Sequence, residues 1–498
     1  MRGLLAAIAV MLPNAAVAQS FSVRDIDFGE SAYLEAAALD AVAAPYEGVP
    51  IDLVALDRLL AEVQALYAEA GIVTARAILP PQEISDGILR IELVEARIGA
   101  VSYDLVGTNP DFLRRNLSLR VGALPDYEAM ERDLRIFEIA HDVVPELVFA
   151  PGETPGTTDV SVRGTPPPRF ALTASVTNFG TESTGRMQGS LFGRINSLTG
   201  VRDTLSFQLQ GSSGAVSGQV GYSRPVGRPG GRLILSASYS QSQVIAGAFR
   251  VLDIVSDSQA VGVAYRWPAF VGPTSHWLFE TGLNYEQSQS TLGGAPLADV
   301  TLTEVQIRAE WAQRGDRQAL QLAFGLRAGN ADTKQISLTE GTYVLVEGSL
   351  AWTRLLGDVA TLSVNARAQF AEGQNLPVAR LFTVGGPTSV RGYPNNVRSG
   401  DSGVEVKVQL GLSKPWRLGE RFTATPFVFA DAAAVKPFRV GGAFIPDQDV
   451  LTSVGAGVRV GMGKNAASVI SVAVPLRNTL GFDGKGKPMV HAGLDWTF

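Results

Sequence analysis

The chain has 498 residues, 42 basic against 48 acidic side chains, 53 glycines, three histidines and no cysteine. The absence of thiols excludes disulfide staples, Cys-ligated metals and Cys nucleophiles. The scattered His141, His276 and His491 argue against a metal centre, and a net charge of −6 argues against a nucleic-acid binder. Only 18% of residues are charged, below the roughly 25% of soluble domains. No apolar run reaches the ~18 residues of a membrane-spanning helix. A glycine-rich, charge-poor chain of this kind predicts strands that cross a membrane as a closed barrel.

At the start, Met1-Arg2, the apolar stretch from Gly3 to Leu12 and Ala16-Val17-Ala18 form a secretory signal over residues 1–18, with cleavage after Ala18. No Cys follows to carry a lipid anchor. Residues 19–97 read as a small α/β unit. Phe21, Val23 and Ile26 lie on a short strand. Leu56, Leu59, Leu60, Val63, Leu66, Tyr67 and Ala70 recur at helical spacing between a cap at Asp52 and a stop at Gly71. Two strands follow, Ile72 to Leu79 and Ile88 to Val94. Residues 98–163 repeat the order, with a strand near Val101 to Val106 and a helix opened by Asp126 that carries Met130, Leu134 and Phe137. Strands at Glu146 to Phe149 and Asp159 to Val162 complete it. Residues 164–168, Gly-Thr-Pro-Pro-Pro, form a semi-rigid spacer.

From residue 169 to 498 the apolar period is two. Leu233, Leu235, Ala237 and Tyr239 alternate with Ser236, Ser238 and Ser240; Val404, Val406, Val408 and Leu410 alternate with Glu405, Lys407 and Gln409. An apolar face in segment after segment suits acyl chains outside and a wet lumen inside. Strands are predicted to begin near Arg169, Arg186, Asp203, Ala215, Gly231, Asp257, Ser275, Thr301, Arg317, Thr342, Val359, Val404, Arg421, Val450, Ala467 and Met489. The fold class is therefore a membrane β-barrel of about 16 antiparallel strands. Trp277, Trp311, Trp352 and Trp496 read as interfacial girdle aromatics, and Arg308, Arg327, Arg367 and Lys407 as lumen-facing. Val490, Ala492, Leu494, Trp496 and Phe498 share one face of the last strand. Trp496 and Phe498 are expected to carry the signal read by the outer-membrane assembly machinery.

The longest gap between strands, residues 371–403, contains Gly385-Gly386-Pro387-Thr388-Ser389-Val390-Arg391-Gly392-Tyr393-Pro394, a stretch expected to fold as a hairpin. Phe427, Phe429 and Asp431 lie on one parity of the strand beginning near Arg421. If Asp431 faces the lumen, so do two phenylalanines, which predicts packing against something inside the barrel. A shielded, bidentate Arg–carboxylate pair would pin a loop there.

The Val390-Arg391-Gly392-Tyr393 segment resembles the lumen-loop signature of two-partner secretion transporters, the haemolysin secretion/activation family within the superfamily of outer-membrane insertases. The resemblance extends over nearly the whole mature chain. Thr74-Ala75-Arg76-Ala77, Leu79-Pro80-Pro81-Gln82 and Ser85-Asp86-Gly87 look like that family's first POTRA domain. Pro151-Gly152, Pro155-Gly156-Thr157 and Asp159 are similar to its second, and Asn178-Phe179-Gly180 with Ser183-Thr184-Gly185-Arg186 to its first barrel hairpin. What this implies is an outer-membrane barrel behind two periplasmic POTRA domains that passes one unfolded exoprotein partner outward without ATP. The POTRA units would bind that client, with outer-membrane lipid around the barrel. Arg391 would pair with Asp431 beside Phe429. No cofactor, metal or nucleic acid is implied. Two departures are evident. Phe429-Ala430-Asp431-Ala432-Ala433 ends in Ala where the family has Gly, and the first strand begins too close to the cleavage site for a pore-plugging N-terminal helix.

A passive porin would not need about 145 residues of α/β structure ahead of the barrel. An insertase shares the loop motif but is expected to carry more POTRA units. An enzymatic barrel would need a nucleophile–base set, and His276 and His491 have no evident partner, so no catalytic residue is assigned.

Overall fold

The computed structural model describes residues 21–84, 86–335, 340–371, 375–436 and 449–498. The expected signal segment, with Ala16 and Ala18, lies outside the described residues. The chain divides into two units, one of residues up to 104 with 117–131 and 146–163, the other of 105–116, 132–145 and 164–498.

The first unit is organised by the helix Leu53–Glu69. Asp52 accepts the Ala55 N–H at 2.8 Å, satisfying one of the free amides of the first turn. Leu56, Leu59, Val63 and Tyr67 form its buried stripe. Around it lie Phe21–Ser22 antiparallel to Pro50–Ile51, Asp25–Asp27 parallel to Ile88–Arg90, and Ala75–Ile78 antiparallel to Glu92–Glu95. Burial and the neighbouring Glu95 carboxylate, 3.0 Å from its hydroxyl, push the Tyr67 phenol up to about 12. The helix Ala36–Ala43 escaped the periodicity reading because its run of alanines has no polar face and Glu35 provides no side-chain cap. Its Leu39 and Ala43 nevertheless enter the core. Also in this unit, Thr157–Arg163 forms the centre of a three-stranded sheet, parallel to Arg97–Tyr103 and antiparallel to Glu146–Pro151.

In the second unit, residues 105–116 and 132–145 are fastened to the barrel's first turns. Asp142 takes a bidentate pair from Arg202, at 2.7 Å from Nε and 2.5 Å from Nη2, with both side chains buried. Arg232 donates to the Ala140 carbonyl at 3.0 Å and to His141 Nδ1 at 3.1 Å. The His141 ring centroid lies 4.4 Å from that of Phe137. Burial, then the positive charges of Arg232 and Arg202, hold His141 down from 6.5 to about 3.

Sixteen staves, counted among the described residues, close the barrel from Phe170–Thr177 to Met489–Thr497. Ser402–Leu412 and Trp416–Leu418 both pair with Phe422–Lys436 and so form one interrupted stave. The closing seam runs through five pairs, Thr173↔Thr497 to Thr177↔Gly493. Closure gives every stave two hydrogen-bonded neighbours, which a lipid environment demands.

Most strands begin within two residues of the positions expected from alternation. Two begin earlier: Ile254–Val271 instead of Asp257, and Ala295–Arg314 instead of Thr301. Five consecutive staves, from Ile254–Val271 to Gly341–Leu356, run for 16 to 20 residues. A tilted strand crosses the bilayer in about 9–11 residues, so these staves continue beyond it. All six tryptophans sit near the strand ends on the rim where the first barrel strand begins, and Trp277, Trp311, Trp352 and Trp496 lie on the outward parity. His276, on the opposite parity to Trp277, points inward and is not a girdle residue.

Because the folded state depresses the His141 pKa, its contribution to stability is complete above about 6.5 and is lost as pH falls towards about 3. Melting of the detergent-solubilised protein should drop over that window, and less steeply in His141→Gln. Parallel melting curves for the two proteins would contradict the assignment.

Candidate functional site

The strand Phe422–Lys436 supplies the floor of the site. Val428 faces outward, half exposed, whereas Phe427, Phe429, Asp431, Ala433 and Val435 are buried on the inner face. The parity break noted in the sequence is thus a packing surface. Val390 and Tyr393 from the loop join Phe382 and Val384, and these meet Ala433, Val435 and Leu451 of the wall in one apolar cluster. Ala433, where a glycine was expected from the resemblance, spends its methyl group in this cluster.

At its centre Arg391 and Asp431 form a forked pair. Arg391 Nε donates to Asp431 Oδ2 at 2.7 Å and Nη2 to Oδ1 at 2.7 Å, while the Arg391 backbone N–H donates to Oδ2 at 3.1 Å. Nη1 reaches Gln409 Oε1 at 3.2 Å. The guanidinium lies over the Phe429 ring, 3.4 Å from its centroid, so ring face and carboxylate attract the cation together. The Asp431 side chain is fully buried and that of Arg391 is 12% exposed.

Gly392 has φ +91°, and a Cβ there would lie 3.2 Å from Pro475 N and 3.3 Å from Ala473. Its N–H donates to His491 Nε2 at 3.3 Å, which gives that buried histidine a structural role on the inner face of the last strand. The Tyr393 hydroxyl lies 3.0 Å from the Thr452 carbonyl and 2.9 Å from that of Arg477. Phe382–Val384 and Arg398–Gly400 pair antiparallel, the hairpin expected for this loop.

Two further sets of contacts were not evident from the sequence. Glu405, buried on the inner face, accepts from Ser389 Oγ of the loop and from Arg367 Nη2 at 2.7 Å, and Lys407 donates to the Thr388 carbonyl at 2.6 Å. Higher in the lumen, Arg380 donates from Nε to Glu304 Oε1 at 2.6 Å and from Nη2 to Glu304 Oε2 at 2.7 Å and Glu286 Oε2 at 2.8 Å. Each partner lies about 75 to 95 residues away in the chain, so no local spacing announces the contact; a carboxylate on the polar parity of two adjacent staves was the available signal. Of the four basic residues expected to face the lumen, all do. Arg327 and Arg367 are engaged with wall carboxylates, and Arg308 stands half exposed beside Glu310. Trp496 and Phe498 are exposed on the outer face, with ring centroids 6.5 Å apart.

A closed 16-stave barrel, a loop folded back against its inner wall and an α/β module ahead of it define an outer-membrane transporter of the POTRA-barrel class. The profile of the haemolysin secretion/activation protein ShlB/FhaC/HecB family matches residues 156–460, and that of the ShlB-type POTRA domain matches residues 21–96. The chain therefore belongs to the ShlB/FhaC/HecB family, the outer-membrane transporters of two-partner secretion. It is 22% identical to the heme/hemopexin transporter protein HuxB of Haemophilus influenzae strain 86-028NP over 87% of this chain and 80% of that one. It is 25% identical to the outer membrane transporter CdiB of Dickeya dadantii strain 3937 over 81% and 74%. In fold it is similar to CdiB from Escherichia coli, with a TM-score of 0.72 and 18% identity over 99% of this chain and 93% of that one. BamA from Haemophilus ducreyi lacking POTRA domains 1–3 gives a TM-score of 0.59 at 13% identity, over 96% and 100%.

Removing one partner of a buried, hydrogen-bonded ion pair leaves the other charge uncompensated and costs about 3–5 kcal/mol. Asp431→Asn should therefore loosen the loop, so that added protease cuts between residues 385 and 397 where the wild type resists. A loop equally resistant in both proteins would show that the apolar cluster alone holds it.

Proposed function

We propose that the Arg391–Asp431 pair keeps the 371–403 loop inside the conduit at rest, and that the conduit carries one large exoprotein across the outer membrane. The observation that carries this reading is a charged loop seated by a forked ion pair on the inner wall of a barrel whose family secretes a partner protein. Passage would be driven by folding of the client outside. Residues 19–97 and 98–163 act as two POTRA domains that receive the client's N-terminal region by adding its strand to a sheet edge. Residues 164–168 are a spacer to the barrel. Residues 1–18 direct export, and the exposed Trp496 and Phe498 present the last strand to the assembly machinery. The chain works without catalysis, as the absence of a nucleophile–base set in the sequence supports. Membership of a secretion/activation family favours an exported protein client over a small solute.

The test compares proteomes of culture supernatant and outer membrane from wild type, a deletion strain, and the deletion complemented with Arg391→Ala. One large exoprotein should vanish from the deletion's supernatant, and Arg391→Ala should fail to restore it although its barrel folds. Depletion of other outer-membrane barrels instead would make the protein an insertase. No change in either fraction would leave a porin.

Resting conductance should follow the loop as well. In planar bilayers, deletion of residues 385–397 should open large, stable channels. A deletion variant that folds and stays as closed as the wild type would refute lumen occlusion by this segment.

A further inference from the structure

Two of the five tall staves, Ala295–Arg314 and the one after it, reverse their polarity part-way up. In Ala295–Arg314 the lower outward residues are apolar, Val305, Ile307, Ala309 and Trp311, and the inward ones polar, Glu304, Gln306, Arg308 and Glu310. Above residue 304 the pattern reverses: Asp299, Thr301 and Thr303 face out, and Val300 and Leu302 face in. The next stave does the same. Phe324 and Leu326 are exposed below, Asn330 and Asp332 are exposed above, and Ala331 is buried. An outward face of Asp, Thr and Asn is not a lipid face, so the reversal marks where the wall leaves the membrane. At this level the inner face carries an apolar core made of Leu302, Ala331, Tyr343 and Leu345 with Ala371 and Leu376 from the start of the loop. This also explains why Ala295–Arg314 begins before the alternation that betrayed its lower half.

Arg380 lies where the two regimes meet. Its guanidinium holds Glu304 with two bonds and Glu286 with a third, and Glu304 also takes the Tyr343 hydroxyl at 2.6 Å and Arg327 Nη1 at 3.2 Å. The Glu304 side chain is completely buried. The Gln369 amide adds a bond to the Arg380 carbonyl at 2.8 Å. Among the described residues, the hydrogen bonds of Arg380, Glu304 and Glu286 share no partner with those of Arg391 and Asp431.

We infer that Arg380 is a second positioning residue of the loop, a latch that fixes its stem, residues 375–381, to Glu304 and Glu286 independently of the tip. The inference rests on the transporter reading, and it divides the loop into two parts with separate anchors. The stem and the short hairpin of Phe382–Val384 with Arg398–Gly400 stay in place while the tip, residues 385–397, leaves Asp431 to open the conduit. A hinge at Gly385, whose φ is +106°, then lets the tip move and return to one register, because its point of attachment never changes.

Hydrogen exchange of the full-length protein in detergent, read by mass spectrometry, separates the two anchors. Arg380→Gln should speed exchange across 375–381 by at least tenfold and leave 388–393 as in the wild type. Arg391→Gln should do the converse. Glu304→Gln should reproduce the Arg380→Gln pattern, and Arg380→Lys, which keeps the charge and loses the fork, should fall between. Heat-modifiable migration on a gel confirms that each barrel has folded, and Glu286→Gln, which removes one bond only, is the fallback if Glu304→Gln does not fold. Stem and tip loosening together in either variant would overturn the latch, as would a protected stem in Arg380→Gln. Secretion of the client is scored in parallel. If Arg391→Ala stops secretion while Arg380→Gln leaves the stem protected, the latch fails and the transporter reading stands. If exchange splits as expected and neither variant affects secretion, the latch stands and the loop's part in transport fails.

Discussion

A backbone that crosses lipid has no water to bond to, and every other feature of this chain depends on how that constraint is met. Sheet closure satisfies it: the seam from Thr173↔Thr497 to Thr177↔Gly493 joins first stave to last and leaves no open edge. Closure creates an interior lined by the polar parity of each strand, where Glu280, Glu310, Arg308 and Arg367 stand. In such an interior a loop cannot be held by apolar contacts alone, because most of the wall offers none. It is held where the wall departs from its own rule. Phe427 and Phe429 face inward, and Asp431 is stripped of water beneath a guanidinium that donates to both of its oxygens. The desolvation of both charges is offset by this fork, the Arg391 backbone N–H, the Phe429 ring and the Gln409 contact.

Much of this was legible in the sequence, for identifiable reasons. Alternation is a strong signal because lipid and lumen impose opposite polarities on neighbouring residues, and it located the strands of the thin part of the wall to within two residues. The site was legible through its exceptions: an Asp sharing parity with two Phe, and a loop arginine between glycines. The partnership of Arg391 with Asp431 came from resemblance, since nothing in a spacing of 40 residues specifies which wall carboxylate an arginine meets.

What was not legible has equally physical causes. Ala36–Ala43 is helical through its packing on Leu39 and Ala43, which an alanine run does not reveal. The Arg380 cluster joins a loop to two staves far away in sequence, and each of its residues on its own reads as solvated lining. The early start of Ala295–Arg314 was hidden because the polarity rule that identifies a membrane strand holds only inside the membrane. Outside it the same strand obeys the rule of a soluble sheet, apolar inward, so a reading keyed to one phase stops at the interface.

The stem and the tip of the loop are held differently. A core made of Leu302, Tyr343, Leu345 and Leu376 excludes water from the inner face beside the stem. Lower on the inner face the wall is polar except where Phe427, Phe429, Ala433 and Val435 turn inward, so apolar packing there is confined to one patch. Lower down, where the outer face is lipid, the inner face must supply its own attachment, and it does so with the Asp431 pair and the small cluster around Tyr393. The stem is thus held by the Arg380 cluster and the apolar core beside it, and the tip by the inward-facing patch around Tyr393, where the ion pair is the contact that charge and water can undo.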